Sequence, residues 1–299
     1  NTNKIVPGNG YKLDCSENHP LMVEKSDGTQ DFVLASDLRK GDKVLISVKN
    51  DIWGDNLDID LSNLETNNSQ MIEKMPTKLT KELAKFLGYT LGAGRLTGYE
   101  DVSFSHPNEY ISNEYKKQLK DLNIGYCYGE FHKKSSCVIV EPKWVYYWLK
   151  ALGYDCKESS EKKIPKEIMT APKNIVVSFL QGLFDAGGIV ETANKRMSLS
   201  TKSETLLYQV QALLLNFGIV TTIVSRQYKG KKGIYYTLKI QSENINKFKK
   251  EINFGCNSKR KKLTNICHEN RMPTKKIHDG KYFIDNIISI EDSKAHVYD

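Results

Sequence analysis

No run of about 18 apolar residues occurs anywhere in the 299-residue chain, so the sequence encodes no membrane-spanning helix. The polar opening of residues 1–10 does not read as a secretory signal peptide. The six cysteines, at positions 15, 127, 137, 156, 256 and 267, include no Cys-x-x-Cys pair, which argues against a zinc site or a disulfide framework. Reduced thiols and an intracellular setting are therefore expected, with the compartment left open. Apolar residues make up only 39% of the chain and mean hydropathy is −0.50. The length still suffices for two domains with sizeable cores.

Charge is present and unevenly placed. Residues 1–74 carry 8 basic and 13 acidic side chains, whereas residues 195–262 carry 15 basic and 3 acidic ones. Residues 195–262, under a quarter of the chain, thus balance at +12 against a whole-chain net charge of +8. A basic segment on a neutral-to-acidic body is the footprint of a polyanion partner, although a solubilising lysine-rich surface has the same composition.

Patterning divides the chain into five parts. Residues 1–50 read as β-structure, with Tyr11-Lys12-Leu13-Asp14-Cys15 alternating and Ser26-Asp27-Gly28 marking a hairpin turn. Residues 51–76, rich in Asp, Asn and Ser, read as a solvent-exposed linker. Residues 77–171 and 172–276 form an internal duplication, each copy running helix, two strands, helix, two strands, helix. A slide of 95 positions lays Ser103-Phe104-Ser105 on Ser198-Leu199-Ser200, and Glu109 on Glu204. Thr80 is the expected N-cap of the first helix, which spaces Leu83, Phe86, Leu87 and Leu91 on one face. Residues 277–299 return to β-structure through Ile287-Ile288-Ser289-Ile290 and His296-Val297-Tyr298-Asp299.

The two copies open on related apolar runs, Phe86-Leu87-Gly88-Tyr89-Thr90-Leu91-Gly92-Ala93-Gly94 and Leu180-Gln181-Gly182-Leu183-Phe184-Asp185-Ala186-Gly187-Gly188. Gly88 and Gly182 lack a Cβ, which lets two helices approach backbone to backbone. Gly94 and Gly188 stand where a left-handed C-terminal cap is expected. These runs resemble the paired helices of the LAGLIDADG (dodecapeptide-type) homing endonucleases, and the resemblance implies an α/β pseudo-dimer of two αββαββα repeats. In that family an acid precedes the final glycine of each helix. Two such acids complete a site for divalent cations, Mg²⁺ above all, that clamp the oxygens of a phosphodiester. Here the positions hold Ala93 and Gly187. Asp185 cannot stand in, because residues two apart on a helix face apart. Only backbone carbonyls near Ala93 and Gly187 remain to hold a metal weakly.

The resemblance implies further site residues. A lysine late in each repeat, polarising water or stabilising charge on the phosphate, falls on Lys163 and on Lys262, with Lys261 the near alternative. A polar position after the second strand falls on Thr201-Lys202 in the second copy and on His106 in the first. Each also has a plain reading: Lys261 and Lys262 as part of a solvated charge run, His106 before Pro107 as a turn residue. Double-stranded DNA is the implied partner, read by β-ribbons narrow enough for the major groove. The second ribbon offers Arg226, Lys229, Lys231, Lys232 and Lys239 among tyrosines, and the first offers His132, Lys133 and Lys134. Unequal ribbons imply an asymmetric target, and two half-sites on one chain imply a monomer.

The flanks carry a second resemblance. Cys15-Ser16-Glu17-Asn18-His19-Pro20-Leu21 looks like a conserved block of the Hint splicing domain of inteins, with Ser16 at its threonine position and His19 at its histidine. In that family the histidine protonates a departing amide nitrogen. Val297-Tyr298-Asp299 resembles the strand that carries a late splicing aspartate. The chain opens on Asn1 and closes without a His-Asn pair, so the resemblance implies no self-splicing by the sequence as written. The expected protein is an intein-type homing endonuclease that binds a long DNA site and scarcely cuts it. A non-cutting regulator on the same fold and a splicing element with a vestigial endonuclease are the alternatives.

Overall fold

The computed structural model describes residues 2–131, 135–154, 159–230, 232–267, 277–278 and 280–293. Both ends of the chain build one β-domain. Strands β1 (Thr2–Pro7), β2 (Leu13–Ser16), β3 (Pro20–Glu24), β4 (Gln30–Leu34) and β5 (Lys43–Ser47) come from the first 50 residues. After α1 (Ser69–Ile72), the first repeat comprises α2 (Lys81–Ala93), β6 (Gly94–Leu96), β7 (Val102–Phe104), α3 (Glu109–Asp121), β8 (Tyr126–Phe131), β9 (Ser135–Val140) and α4 (Lys143–Leu149). A π-helical turn (Lys150–Tyr154) and the short α5 (Lys166–Met169) lead into the second repeat. That repeat runs α6 (Lys173–Gly187), β10 (Gly188–Glu191), β11 (Arg196–Thr201), α7 (Glu204–Asn216), β12 (Thr222–Gln227), β13 (Ile234–Ile240) and α8 (Glu243–Glu251), and α9 (Asn257–Cys267) follows it. The chain returns to the β-domain as β14 (Ile277–His278) and β15 (Tyr282–Ser293).

The duplication read from the sequence holds in three dimensions. The repeats carry four-stranded antiparallel sheets of identical order, β6-β7-β9-β8 and β10-β11-β13-β12. The ends interleave in a separate sheet of order β2-β1-β15-β5-β3-β4, with β14 paired to β15. Its small core holds Ile5, Cys15, Val23, Ala35, Leu38, Val44 and Ile287. The hairpin from β3 to β4 turns through Gly28 at φ +83°, as the Ser-Asp-Gly signal predicts.

The β-domain is fixed to the second repeat. The Ile223 amide and the Gln211 side chain both donate to the Asn9 carbonyl, at 3.1 and 3.2 Å. The Tyr11 hydroxyl accepts from the Thr221 amide at 3.3 Å, and its burial pushes the phenol up to about 12. Phe283, Val48 and Val220 bury a third apolar cluster at this junction.

One expectation is refined here and another corrected. The linker is exposed over most of its length, as expected, but single anchors hold it against the protein as a strap. Trp53 packs tilted against Phe217 at 4.5 Å and donates to Asp51, while Ile59 and Met75 are buried in the main core. The segment also pairs with the entry to α2, through Ile59 to Thr77 and Leu79 to Leu57. Gly94 and Gly188 are not the left-handed caps expected: their φ/ψ values, −87/164° and −76/145°, are extended. Each motif helix passes straight into a strand. Glycine is needed for room, since a Cβ would fall 2.6 Å from the Thr90 carbonyl oxygen in one copy and from that of Phe184 in the other.

At the tip of the β10–β11 hairpin, Glu191 accepts from Arg196 at 2.8 Å, Asn194 at 3.0 Å and Ser198 at 3.0 Å, with Arg196 foremost in holding its carboxyl down near 2. A depressed carboxylate contributes stability above its unfolded value of 4.5 that disappears as pH falls toward 2. The pair is partly solvated, so Glu191→Gln is expected to cost about 1 kcal/mol in urea melts at pH 7. The deficit should vanish below the folded value. An equal deficit at both pH values would show that packing, not charge, is lost.

Candidate nucleic-acid interface and helix-end site

The motif helices form the axis of the duplicated unit. Both are apolar, and α2 is capped: the Thr80 hydroxyl accepts from the Leu83 amide at 3.1 Å, and Phe86, Leu87, Phe179, Leu180 and Phe184 are fully buried. A Cβ on Gly88 would fall 2.1 Å from the Phe179 carbonyl oxygen, and one on Gly182 would fall 2.3 Å from that of Lys85. Farther along, a Cβ on Gly92 would lie 2.7 Å from the Ala186 methyl. The contacts advance together along both chains, so α2 and α6 run parallel and end side by side. Ala93 and Gly187 occupy those ends, half-buried.

Two lysines close the helix ends, and neither is one the sequence reading chose. Lys162 Nζ donates to the Leu91 carbonyl at 2.7 Å and to that of Gly94 at 3.4 Å. Lys259 Nζ donates to the carbonyls of Asp185 at 2.5 Å, Gly188 at 2.6 Å and Phe184 at 3.2 Å. Burial holds the Lys259 ammonium below the ordinary lysine value, against the pull of Asp185. Lys163, in contrast, is exposed, its Cε beside the Gly153 turn. Lys261 and Lys262 are exposed on α9, Lys262 near enough to bias Lys259 by its charge.

Carbonyls near Ala93 and Gly187, expected as weak metal ligands, thus already accept from ammonium groups. Ala186 contributes another, which takes a hydrogen bond from His106 Nε2 at 3.0 Å. His106 Nδ1 accepts the Asn108 amide at 3.0 Å, which places the ring proton on Nε2. Burial, then the charge of Lys259, keep this imidazole below its usual 6.5 and neutral. Among the described residues no group of three or more Asp, Glu, His or Cys side chains converges on a metal position. The donor set at the helix ends does not fit a divalent cation.

Asp185 has a role that the sequence reading missed. Its fully buried carboxylate turns away from the helix end and accepts the Gly255 and Cys256 amides, both at 3.1 Å, and the Tyr89 hydroxyl at 2.9 Å. Burial raises its pKa against these bonds. Asp185 thereby anchors the turn before α9, the helix that delivers Lys259. An acid inside an otherwise apolar helix is the signal that would have found it.

The repeats also fasten each other's lysine segment. Ser203, at the start of α7, donates to the Lys162 carbonyl at 2.5 Å, and Gln209 accepts the Ile164 amide at 2.7 Å. Tyr110 of α3 reaches the Gly255 carbonyl at 3.5 Å. Thr201 only accepts the Ser203 amide at 3.1 Å, whereas Lys202 lies over the Tyr235 ring at 5.5 Å. Lys202 shares a cavity of about 630 Å³ with Lys232 and Tyr236.

Cross-strand register sorts the basic residues. Arg226 opposes Tyr235, Thr222 opposes Lys239, and Ser200 opposes Thr237, so these side chains share the face turned away from Ile223, Leu238 and Leu199. Arg226 also approaches the Tyr228 ring at 6.0 Å, and Lys229 extends from the adjoining turn. On the first sheet the matching face offers Arg95, opposite Ser103. Lys231, His132, Lys133, Lys134 and Asp299 lie outside the described residues. In the β-domain Ser16 and His19 frame one turn, the His19 amide donating to the Ser16 carbonyl at 3.2 Å, and Ser16 pairs with Thr2, itself opposite Ser293.

Residues 174–253 match the LAGLIDADG-like domain family, and the chain therefore carries a LAGLIDADG-like domain on a mixed α/β fold. The chain is 26% identical over 270 residues to the replication factor C small subunit of Methanocaldococcus jannaschii, a match covering 88% of this chain and 13% of that protein. It is 28% identical over 303 residues to the tRNA-splicing ligase RtcB of Pyrococcus furiosus, covering 86% and 30%. The chain thus spans less than a third of either relative. Similar solved structures include the homing endonuclease I-DmoI in complex with DNA and Mn, at 20% identity, 57% and 96% coverage and TM-score 0.42. Full-length DUF199/WhiA from Thermatoga maritima is also similar, at 20% identity, 70% and 68% coverage and TM-score 0.45.

Proposed function

We propose that this chain is the DNA-binding core of an intein-type homing endonuclease whose cutting chemistry is silenced. The observation that carries the reading is the parallel pair α2 and α6, with equivalent sheets on either side and Ala93 and Gly187 where a cutting enzyme needs acids. The outward face of the second sheet presents Arg226, Lys239 and Lys229, suited to phosphate contact and base readout in a major groove. One chain supplies both half-sites and the two are unlike, so the protein acts as a monomer on a long, asymmetric duplex inside a cell.

Two observations support the intein origin. The matched segment is a minor part of a replication factor and of a tRNA-splicing ligase, two proteins of unrelated activity, which fits a segment inserted into unrelated hosts. Moreover, strands within 2–47 and 277–293 interleave in one β-sheet, as a Hint domain interrupted by an endonuclease would require, with Ser16 paired to the opening strand. The lysine-capped helix ends favour the non-cutting reading over a weakly active nuclease.

Selection of bound duplexes from a random pool tests the proposal. It should converge on one non-palindromic sequence. Binding to that sequence should weaken by about 10³-fold or more between 50 and 200 mM salt if some six phosphates are engaged. A flat salt response, or failure of the pool to converge, would count against a DNA-reading saddle.

A further inference from the structure

We infer that Lys162 and Lys259 take the electrostatic place of the two divalent cations at the parallel helix ends, so that this chain holds DNA without divalent metal. The inference rests on the proposed DNA binding and adds to it what the centre of the interface is made of. A lysine near a helix C-terminus is common by itself, because it satisfies orphan carbonyls and opposes the helix dipole. The duplication separates this pair from that ordinary case. Lys162 donates to the carbonyls of Leu91 and Gly94, and Lys259 to those of Asp185 and Gly188, which are the same two positions 94 residues later. Both ammonium groups hang on segments fastened by the opposite repeat, Lys162 through Ser203 and Gln209, and the Lys259 turn through Tyr110 and Tyr89–Asp185. They are built in, not swept over the surface.

Two helix C-termini present about −0.5 each toward the duplex axis. Left bare, they would repel the phosphates that must pass between the sheets. Two ammonium groups bring the centre to about +1, or to about zero with Asp185 ionised beside Lys259. Carboxylates at 93 and 187 would lower that by two charges, and only added cations could then restore contact with DNA. Loss of both acids and retention of both lysines thus leaves a centre that accepts a duplex unaided. Next to Lys162 a cavity of about 330 Å³, lined by Thr90, Arg95 and Ser159 among others, leaves room for a phosphate.

Fluorescence anisotropy with a labelled random-sequence duplex, in EDTA and in Ca²⁺ at matched ionic strength, tests the inference. For the chain itself the Kd should be no tighter in Ca²⁺ than in EDTA. The Ala93→Asp/Gly187→Asp variant should bind about tenfold more weakly in EDTA and recover in Ca²⁺. Tighter binding by the unaltered chain in Ca²⁺ would overturn the inference, as would a variant indifferent to EDTA. A readout independent of DNA is Mn²⁺ broadening of the Gly94 and Gly188 amide resonances, expected in the variant and absent in the unaltered chain. Broadening in the unaltered chain would overturn the ammonium-for-metal exchange even if no duplex bound. Failure to bind any duplex in either buffer would overturn the DNA-binding reading and with it the metal-free binding inferred here, while the Mn²⁺ readout alone would still decide whether the two ammonium groups exclude metal from the helix ends.

Discussion

Replacing Gly88 by alanine is expected to cost more than about 4 kcal/mol, enough to leave the repeat pair largely unfolded at 37 °C or insoluble on expression. The added methyl would lie 2.1 Å from the Phe179 carbonyl oxygen and 2.8 Å from the Leu183 nitrogen, and both are backbone atoms of the facing helix. No rotamer change relieves such a clash. The helices must separate by an ångström or more, and separation reopens the core around Phe86, Leu87, Phe179 and Leu183. Gly182→Ala, at 2.3 Å from the Lys85 carbonyl, should be nearly as damaging. Gly92→Ala meets a methyl group at 2.7 Å and should cost less. Gly28→Ala is the control: nothing lies near its Cβ, and only the positive φ is strained, at about 1 kcal/mol. Urea melts should rank the variants 88, 182, 92, 28. A Gly88→Ala protein as stable as the Gly28 control would refute the backbone-contact helix pair.

That pair was legible because two features coincide, a helical apolar period and a glycine in it that only close packing explains. The lysines were not legible by composition, since Lys162 and Lys163 are neighbours of identical chemistry and 259–262 is an unbroken basic run. Local geometry separates the first pair. Ile164 is buried, and in an extended segment Lys162 shares its side while Lys163 points out. On α9 the buried residues are Leu263 and Ile266; Lys259 lies one turn before the first and Lys262 one turn before the second, so helical period excludes Lys261 alone. Buried apolar neighbours at the right period would therefore have picked out Lys162, but the choice of Lys259 over Lys262 needed the tertiary placement of α9. The strap at 51–76 had no such signal. Trp53, Ile59 and Met75 anchor it singly, without periodicity, and single anchors are invisible until their pockets are known. Gly94 and Gly188 misled for a related reason. Glycine after a helix usually marks a left-handed residue, but here it clears space for a strand leaving the helix at once.

Restoring aspartate at both positions 93 and 187 should raise cleavage of the selected duplex by on the order of 10⁵-fold, in Mg²⁺ and not in EDTA. The figure follows from about 3–4 kcal/mol of transition-state stabilisation for each carboxylate that engages a metal-bound phosphate. The frame can accept the change. Ala93 is half-buried at a helix end, and a Cβ on Gly187 meets only the Leu199 terminal methyl, at 2.9 Å, which a rotamer shift can move aside. The two single variants are the informative intermediates. If each acid serves one strand, Ala93→Asp alone and Gly187→Asp alone should nick opposite strands and leave the other whole. The halves should also differ in rate. Lys259 is held by three carbonyls and by the Asp185-anchored turn, whereas Leu91 occupies the position of Asp185 in the first copy and Lys162 is held by two carbonyls. Preorganised charge accelerates a reaction because it need not reorganise when charge develops. The half built on Lys259 should therefore cut first, and the nicked duplex should accumulate before the double-strand break. A double variant that binds its selected duplex and never nicks it would leave DNA binding intact and remove the endonuclease ancestry from the proposed function.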